Sequence, residues 1–336
     1  MIRAGLLALA GALAGVMAGQ SALADCPAAP DPVFRLEQGS RYSDAGAGSR
    51  QLDAEADRAV DETLAPIDDF LRDLTRLANA LLAAEADRAA LADCVIGQMA
   101  VWARADAMGD LVTTAANLTA GSRLAAFGLV AEQVAPFVTA ADDMAEVRIW
   151  LNRRQRAQMV FWETATKGAA RGNLRAWSAL AASAIGDLTD DAVMRGWAAW
   201  SASYVLCSAN PDGSLPQEMT RGRLALHYQL HAIAPLSVTA ARLQRQGVPL
   251  AEECGAALRR AGDFIAGDLV DGARTAAITG AVQSFFDGSS EIAGFNLAWI
   301  EAWLTLYDSP QLDALAQPFR PLSHSKLGGD QTALWR

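Results

Sequence analysis

An all-α fold, specifically an (α/α) toroid or barrel of antiparallel helical hairpins, is the architecture this chain predicts, on three observations. After Leu52 nearly every segment repeats its apolar residues at intervals of three and four. Alternating strand patterns are nearly absent. Turn signals at Gly186, "NPDG" (210–213) and Gly247 before Pro249 leave only short connections, which in an all-helical chain join neighbours antiparallel. An irregular bundle is the alternative; no exact repeat points to a solenoid.

The elements follow in order. "MIRAGLLALAGALAGVMAGQSALADC" has a basic Arg3, an apolar stretch and small residues at Ala22 and Ala24. It reads as a secretory signal peptide over residues 1–24, cleaved after Ala24. The apolar stretch is shorter than the roughly 20 residues of a spanning helix, so no membrane span is expected after cleavage. No linker divides the rest, and residues 25–336 read as one domain. "IDDFLRDLTRLANALL" begins the helical pattern, with Pro66 expected in its first turn. It recurs in "LADCVIGQMAVWARADAM", "SRLAAFGLVAEQVAPFV", "MAEVRIWLNRRQRAQMVFW", "LRAWSALAASAIG" and "DAVMRGWAAWSASYVL". "RGRLALHYQLHAIAPLSVTAARLQRQG", "AEECGAALRRAGDFIAG" and "FNLAWIEAWLTLY" complete the set. Abundant alanine favours helix and lets helices approach closely.

Export places Cys26, Cys94, Cys207 and Cys254 where disulfides persist. Of the three possible pairings, Cys26–Cys94 with Cys207–Cys254 is expected, because the first would staple an extended N-terminal segment to a helix. Two buried thiols at Cys207 and Cys254 are the alternative. The 336 residues carry a net charge of -10, which argues against a nucleic-acid partner. An anionic substrate would need a locally basic cleft.

The most informative segment is "DGSLPQEMTRGRLALHYQLHAIAP" (212–235). On one continuous helix, Arg221, Tyr228 and His231 would share a stripe. The plain reading makes Tyr228 and His231 core residues and Arg221 a solvated charge. The chemical reading notes that a guanidinium beside a phenol favours phenolate, which can exchange a proton near neutral pH, and that arginine grips carboxylates as a fork.

Here and at "RGNLRAW" (171–177) the sequence resembles the periplasmic alginate lyases, the poly(β-D-mannuronate) lyases with an α-helical toroid. The resemblance extends along most of the mature chain, through "SRYSDAGAGSRQLDAEADRAVDETLAPI", "ADCVIGQMAVWA", "FNLAWIEAWLTLY" and the C-terminal "RPLSHSKLGGDQTAL". It implies Arg221 and Tyr228 as the catalytic arginine and tyrosine seven residues apart. It implies Asn173 as the asparagine that binds the substrate carboxylate, and Arg41 beside Tyr42 as sugar contacts in an N-terminal arm. Trp177, Arg223 and His231 complete the expected substrate-binding set. Two positions depart from the family pattern: Leu174 stands where it has a histidine, and Gln229 follows the tyrosine where it tends to have histidine.

By resemblance the reaction is β-elimination on a uronate polymer, with an acidic polysaccharide as partner, and with export machinery too if the polymer is one the cell exports. In mannuronate the C5 proton and the 4-oxygen lie on one side of the ring, so Tyr228 alone could act as base and acid. Loss of the histidine implies restriction toward mannuronate-like geometry, or a lost donor worth a factor of about 100 to 1,000. No cofactor and no metal are expected, since the three histidines lack carboxylates or cysteines at ligand spacing. "LGGD" (327–330) lacks the Lys-Ser/Thr of a phosphate loop and reads as a turn near the cleft mouth. Two other functions compete: a non-catalytic protein that binds or guides the polymer, and a glycoside hydrolase, which would need facing carboxylates such as Glu218 and Glu301.

Overall fold

A computed structural model describes residues 26–43, 51–83 and 87–336. The expected signal peptide lies outside the described residues. The long helices are α1 (Ala54–Ala83), α2 (Arg88–Arg104), α3 (Thr114–Val134), α4 (Ala141–Thr164), α5 (Asn173–Leu188) and α6 (Ala192–Leu206). A one-turn α7 (Pro216–Met219) precedes α8 (Ala225–Arg245) and α9 (Glu253–Asp268). Short helices complete the chain: α10 (Ala273–Thr279), α11 (Gly294–Leu297), α12 (Trp299–Leu304), α13 (Pro310–Ala316) and α14 (Gln331–Trp335). The described strands are two-residue pieces. β1 (Arg35–Leu36) pairs in parallel with β2 (Asp110–Leu111), and β3 (Ser323–His324) pairs antiparallel with β4 (Gly329–Asp330).

The packing is that of an α/α toroid. Helices α1, α3, α5, α8 and α12 follow one another side by side, each against the next, while α2 lies on α4 and α6 on α9. The alanine-rich α5 is buried along almost its whole length against α3, α6 and α8. Close approach is built in by glycine: a Cβ on Gly121 of α3 would stand 2.8 Å from the backbone nitrogen of Ser178 on α5. Helices that flank the core from outside keep one wet face, as α4 does with buried Met144, Val147, Trp150 and Leu151 at three- and four-residue spacing. No helix among the described residues is long and apolar enough to cross a membrane.

Both disulfides have the expected pairing. Cys26–Cys94 ties the N-terminal segment to α2, and Cys207–Cys254 ties the end of α6 to the start of α9. Three local readings need correction. The first helix starts at Ala54, so Pro66 is interior; it and Glu62, whose carbonyl loses its partner, are both exposed to water. α9 begins with left-handed backbone at Cys254, Gly255 and Ala256. The segment holding Arg221 and Tyr228 is not one helix: α7 ends, Gly222 takes φ 59°, and α8 begins only at Ala225.

Candidate active site

That break moves Arg221 off the stripe it would occupy on a continuous helix, yet brings it back onto Tyr228. Glycine at 222 allows the positive φ at no steric penalty, and the turn folds the Arg221 guanidinium over the Tyr228 ring, 4.5 Å from its centroid. Tyr42 reaches the same point from the N-terminal arm. Its hydroxyl is hydrogen-bonded to that of Tyr228, with ring centroids 6.5 Å apart, and Arg221 lies 5.7 Å from its ring. The arm is held there by an isolated bridge between Tyr42 and Leu52.

Behind this trio stands a buried carboxylate. Glu218 on α7 is fully buried and accepts from the backbone N–H of Asn173 (2.7 Å) and from its side-chain Nδ2 (2.9 Å). Burial pushes the Glu218 carboxyl up to about 7, against the pull of Arg221 and of the Asn173 hydrogen bonds. Asn173 heads α5 after an extended Gly172, whose missing side chain leaves room for Gln217 and Glu218. Asn173 is itself only 2% exposed, and its Oδ1 is buried without a hydrogen-bond partner.

Beside Tyr228 opens a cleft of about 640 Å³ between α1, α8, α11 and the β3–β4 hairpin. Its walls carry Arg72, Arg76 and Lys326 and one carboxylate, Asp68; Arg72 and Arg76 are also ion-paired with Asp69 and Asp73 on the same helix, and Lys326 with Asp68. This is a locally basic cleft in an acidic protein. All three histidines of the chain, His227, His231 and His324, line it. Burial lowers all three, with His231 held well below the ordinary histidine range and His324 pushed to about 3. His231 Nε2 accepts from the Trp177 indole N–H (3.1 Å) and His324 Nδ1 from the Lys326 N–H (3.0 Å). Both rings are therefore neutral, each with its other nitrogen left as a donor. Lys326 is lowered to about 8, chiefly by burial, with Arg123 also lowering it and Asp68 opposing.

The expected site residues divide accordingly. Tyr228, Arg221 and Tyr42 converge, Asn173 joins them through Glu218, and His231 lines the cleft. Three of the expected residues have partners within the protein. Arg41 is ion-paired with Asp57 and, at 2.7 Å, with Asp61 on α1. Arg223 donates to Asp287 (3.0 Å) and Ser289 (2.8 Å). Trp177 is 1% exposed and supports His231 from behind rather than meeting solvent. Gln229, on the far side of α8, accepts from Leu215 N–H and donates to the Gly213 carbonyl. It is a brace for the loop before α7, not a cleft residue. Glu218 and Glu301 do not face each other across the cleft; Glu301 is locked by Arg320 and Arg336, each at 2.7 Å.

Sequence reading missed His227, His324 and Lys326. The signal was there in "SHSKLGGD": Gly328 and Gly329, at φ 89° and 111°, turn the chain so that β3 and its following turn face α1 and α8.

Residues 39–274 match the alginate lyase family model. The chain belongs to the alginate lyase family. A polysaccharide lyase of Stenotrophomonas maltophilia (strain K279a) is 30% identical to this lyase, over 95% of this chain and 93% of that protein. An alginate lyase of Pseudomonas syringae pv. syringae (strain B728a) is 25% identical over 92% of this chain and 82% of its own. Among solved structures, a histidine-to-alanine variant of alginate lyase A1-III complexed with tetrasaccharide superposes with a TM-score of 0.79, at 24% identity over 93% of this chain and 86% of that one. A tyrosine-to-phenylalanine variant with the same ligand gives 0.77 at 22% identity, covering 93% and 87%. These establish the α/α toroid, and the family makes the protein a polysaccharide lyase.

Proposed function

We propose that this lyase cleaves a mannuronate-containing acidic polysaccharide by β-elimination, with Tyr228 as the proton-transferring group. The observation that carries the reading is the Arg221 guanidinium over the Tyr228 ring, beside a cleft edged by Arg72, Arg76 and Lys326. A fixed cation favours phenolate, so Tyr228 can take the C5 proton and return it to the 4-oxygen. The C4–O4 bond breaks as the C4–C5 double bond forms, and the proton moves from carbon to oxygen through one hydroxyl. Charge building on the substrate carboxylate needs donors. Asn173 supplies one from the Glu218 side, and neutral His231, Lys326 and the cleft arginines supply the rest. Leu174 leaves no imidazole beside Asn173, which restricts the reaction to the C5 configuration Tyr228 can reach.

The leader-like residues 1–24 and the two disulfides support an exported, periplasmic protein. Release of unsaturated uronate, followed by its ultraviolet absorbance, tests the reading on polymannuronate, polyguluronate, glucuronan and the host's own exopolysaccharide. Tyr228→Phe should lower turnover about 1,000-fold with affinity nearly unchanged; equal rates for variant and wild type would sink the assignment. Binding without unsaturated ends on any polymer would instead make Leu174 the mark of a protein that guides an exported polysaccharide. In that case Leu174→His should restore elimination.

A further inference from the structure

A second groove, of about 500 Å³, lies behind the turns that carry Asn173 and Arg221, where the end of α6 meets the loop before α5. Lys167, Arg171, Tyr204, Gln217 and Thr220 line it, and no carboxylate does. Gln217 packs toward Gly168 and Gly172 while its neighbour Glu218 holds Asn173, so one short segment walls both the groove and the catalytic region.

Three features set this groove apart from the rest of the surface. Lys167 and Arg171 are both exposed, and among the described residues neither forms an ion pair. Nearby arginines do: Arg156 is paired with Asp191 and Arg195 with Asp190. The Arg171 guanidinium instead lies 5.7 Å from the Tyr204 ring centroid and points its Nε at the Tyr204 hydroxyl, at 3.5 Å. One turn earlier on α6, Trp200 is 48% exposed, with its ring 5.9 Å from that of Tyr204 and tilted by 32°. These two rings are held from within by Arg175, which is 3% exposed and sits 4.4 Å from Trp200 and 4.9 Å from Tyr204. The Cys207–Cys254 bridge fixes the end of the same helix. A rigid aromatic pair of this kind presents apolar area without ordering entropy on binding. Beside it stand two cations that a protein of net charge -10 leaves unneutralised.

We propose that this groove, extended along α6 by the exposed Trp200 next to Tyr204, is a second binding site for an acidic polysaccharide, outside the catalytic cleft, in which the two rings carry sugar rings while Lys167 and Arg171 take their carboxylates. Its volume is within the range of small-ligand sites, enough for a short stretch of a longer chain. The identity of the ligand rests on the uronate-polymer reading given above. Holding the polymer here raises its local concentration at the cleft, so the site favours long chains over short ones.

The test compares wild type, the double variant Lys167→Glu/Arg171→Glu and the single variant Trp200→Ala. Each is run through native gels containing long-chain polymannuronate or neutral dextran, with thermal melts to confirm folding. Both charged positions are exposed and outside any ion pair, and Arg171 gives up only its long contact with Tyr204, so the melts should differ little. Expected is about five-fold weaker retention by polymannuronate in the charge-reversed variant, a smaller loss for Trp200→Ala, less retention of wild type at high salt, and no retention by dextran. The activity loss of the variants should be confined to long chains, with mannuronate tetramers turned over at the wild-type rate. Unchanged retention of both variants overturns the proposal, as does failure of wild type to be retained at all. A wild type that is retained, loses retention on charge reversal, yet releases no unsaturated uronate leaves the site standing and removes the lyase reading instead.

Discussion

The Glu218 carboxyl gives the sharpest quantitative expectation, through replacement by glutamine. Moving a fully buried carboxyl from 4.5 to about 7 makes the folded protein bind more protons than the unfolded chain between those values. By linkage, stability then falls as pH rises across that window and is level above it. At about 1.4 kcal/mol per tenfold, the charged form at pH 8 is disfavoured by about 3 kcal/mol relative to the proton-bearing form at pH 4. Glutamine copies the protonated carboxyl in shape and charge. One oxygen still accepts the Asn173 N–H, and a donor now faces the Asn173 side chain. Turning the Asn173 amide over would pair that donor with Oδ1, the atom left without a partner when Glu218 is ionised.

Glu218→Gln should therefore match wild type near pH 4.5 and exceed it at pH 8 by about 3 kcal/mol, or about 5 °C in melting temperature for a chain of this size. Thermal melts in paired buffers measure it, and the difference between the two proteins cancels every other titrating group. A gap of the same size at pH 5 and pH 8 would refute the reasoning, since a merely structural effect carries no pH dependence.

Histidine burial works in the opposite direction. His324, at about 3, and His231, well below the ordinary range, hold stability that is complete above the unfolded histidine value of about 6.5 and drains away as pH falls below it; His324→Asn should flatten the decline in melting temperature between pH 6.5 and 5. Lys326 is lowered to about 8, so KM for an anionic polymer should rise as pH passes 8 in wild type. In Lys326→Met it should be roughly ten-fold higher at pH 7 and independent of pH there. Gly121→Ala would drive a Cβ to 2.8 Å from the Ser178 backbone and should destabilise the α3–α5 contact by about 1 to 3 kcal/mol; an unchanged melt would show that α3 can shift freely.

The helical periodicity was legible because it is a local property. An amphipathic or alanine-rich run declares its helix without reference to its neighbours, and the toroid follows from short connections between such runs. The pair Arg221 and Tyr228 was legible for a different reason and by a wrong geometric route. Seven-residue spacing places both on one face of a continuous helix, whereas here Gly222 ends that continuity and a turn delivers the guanidinium to the ring. The partners of Arg41, Arg223 and Trp177 were not legible because spacing along the chain does not reveal competitors. Asp57 and Asp61 on α1 capture Arg41, Asp287 captures Arg223, and His231 takes the Trp177 N–H. His324 and Lys326 were invisible because nearly a hundred residues separate them from His231 and only closure of the toroid brings them to one cleft.

Gln229 and Leu174, the two positions at which the sequence resemblance implies a departure, carry unequal weight once their surroundings are compared. Gln229 is buried on the side of α8 away from the cleft and satisfies Leu215 and Gly213 at once, so both ends of its amide are spent on the loop that leads into α7. Its presence bears on how Glu218 is positioned and leaves the proton path through Tyr228 untouched. Leu174 follows Asn173 directly at the head of α5 and brings no donor of its own. A developing negative charge on the sugar carboxylate must then be met by Asn173, by the donor nitrogens of neutral histidines and by Lys326. How well Asn173 serves depends on Glu218, because an ionised carboxylate draws the amide hydrogens toward itself and a protonated one can release them. With Glu218 poised at about 7, the rate should depend on pH near neutrality through a residue that never touches the sugar. Glu218→Gln should remove that dependence.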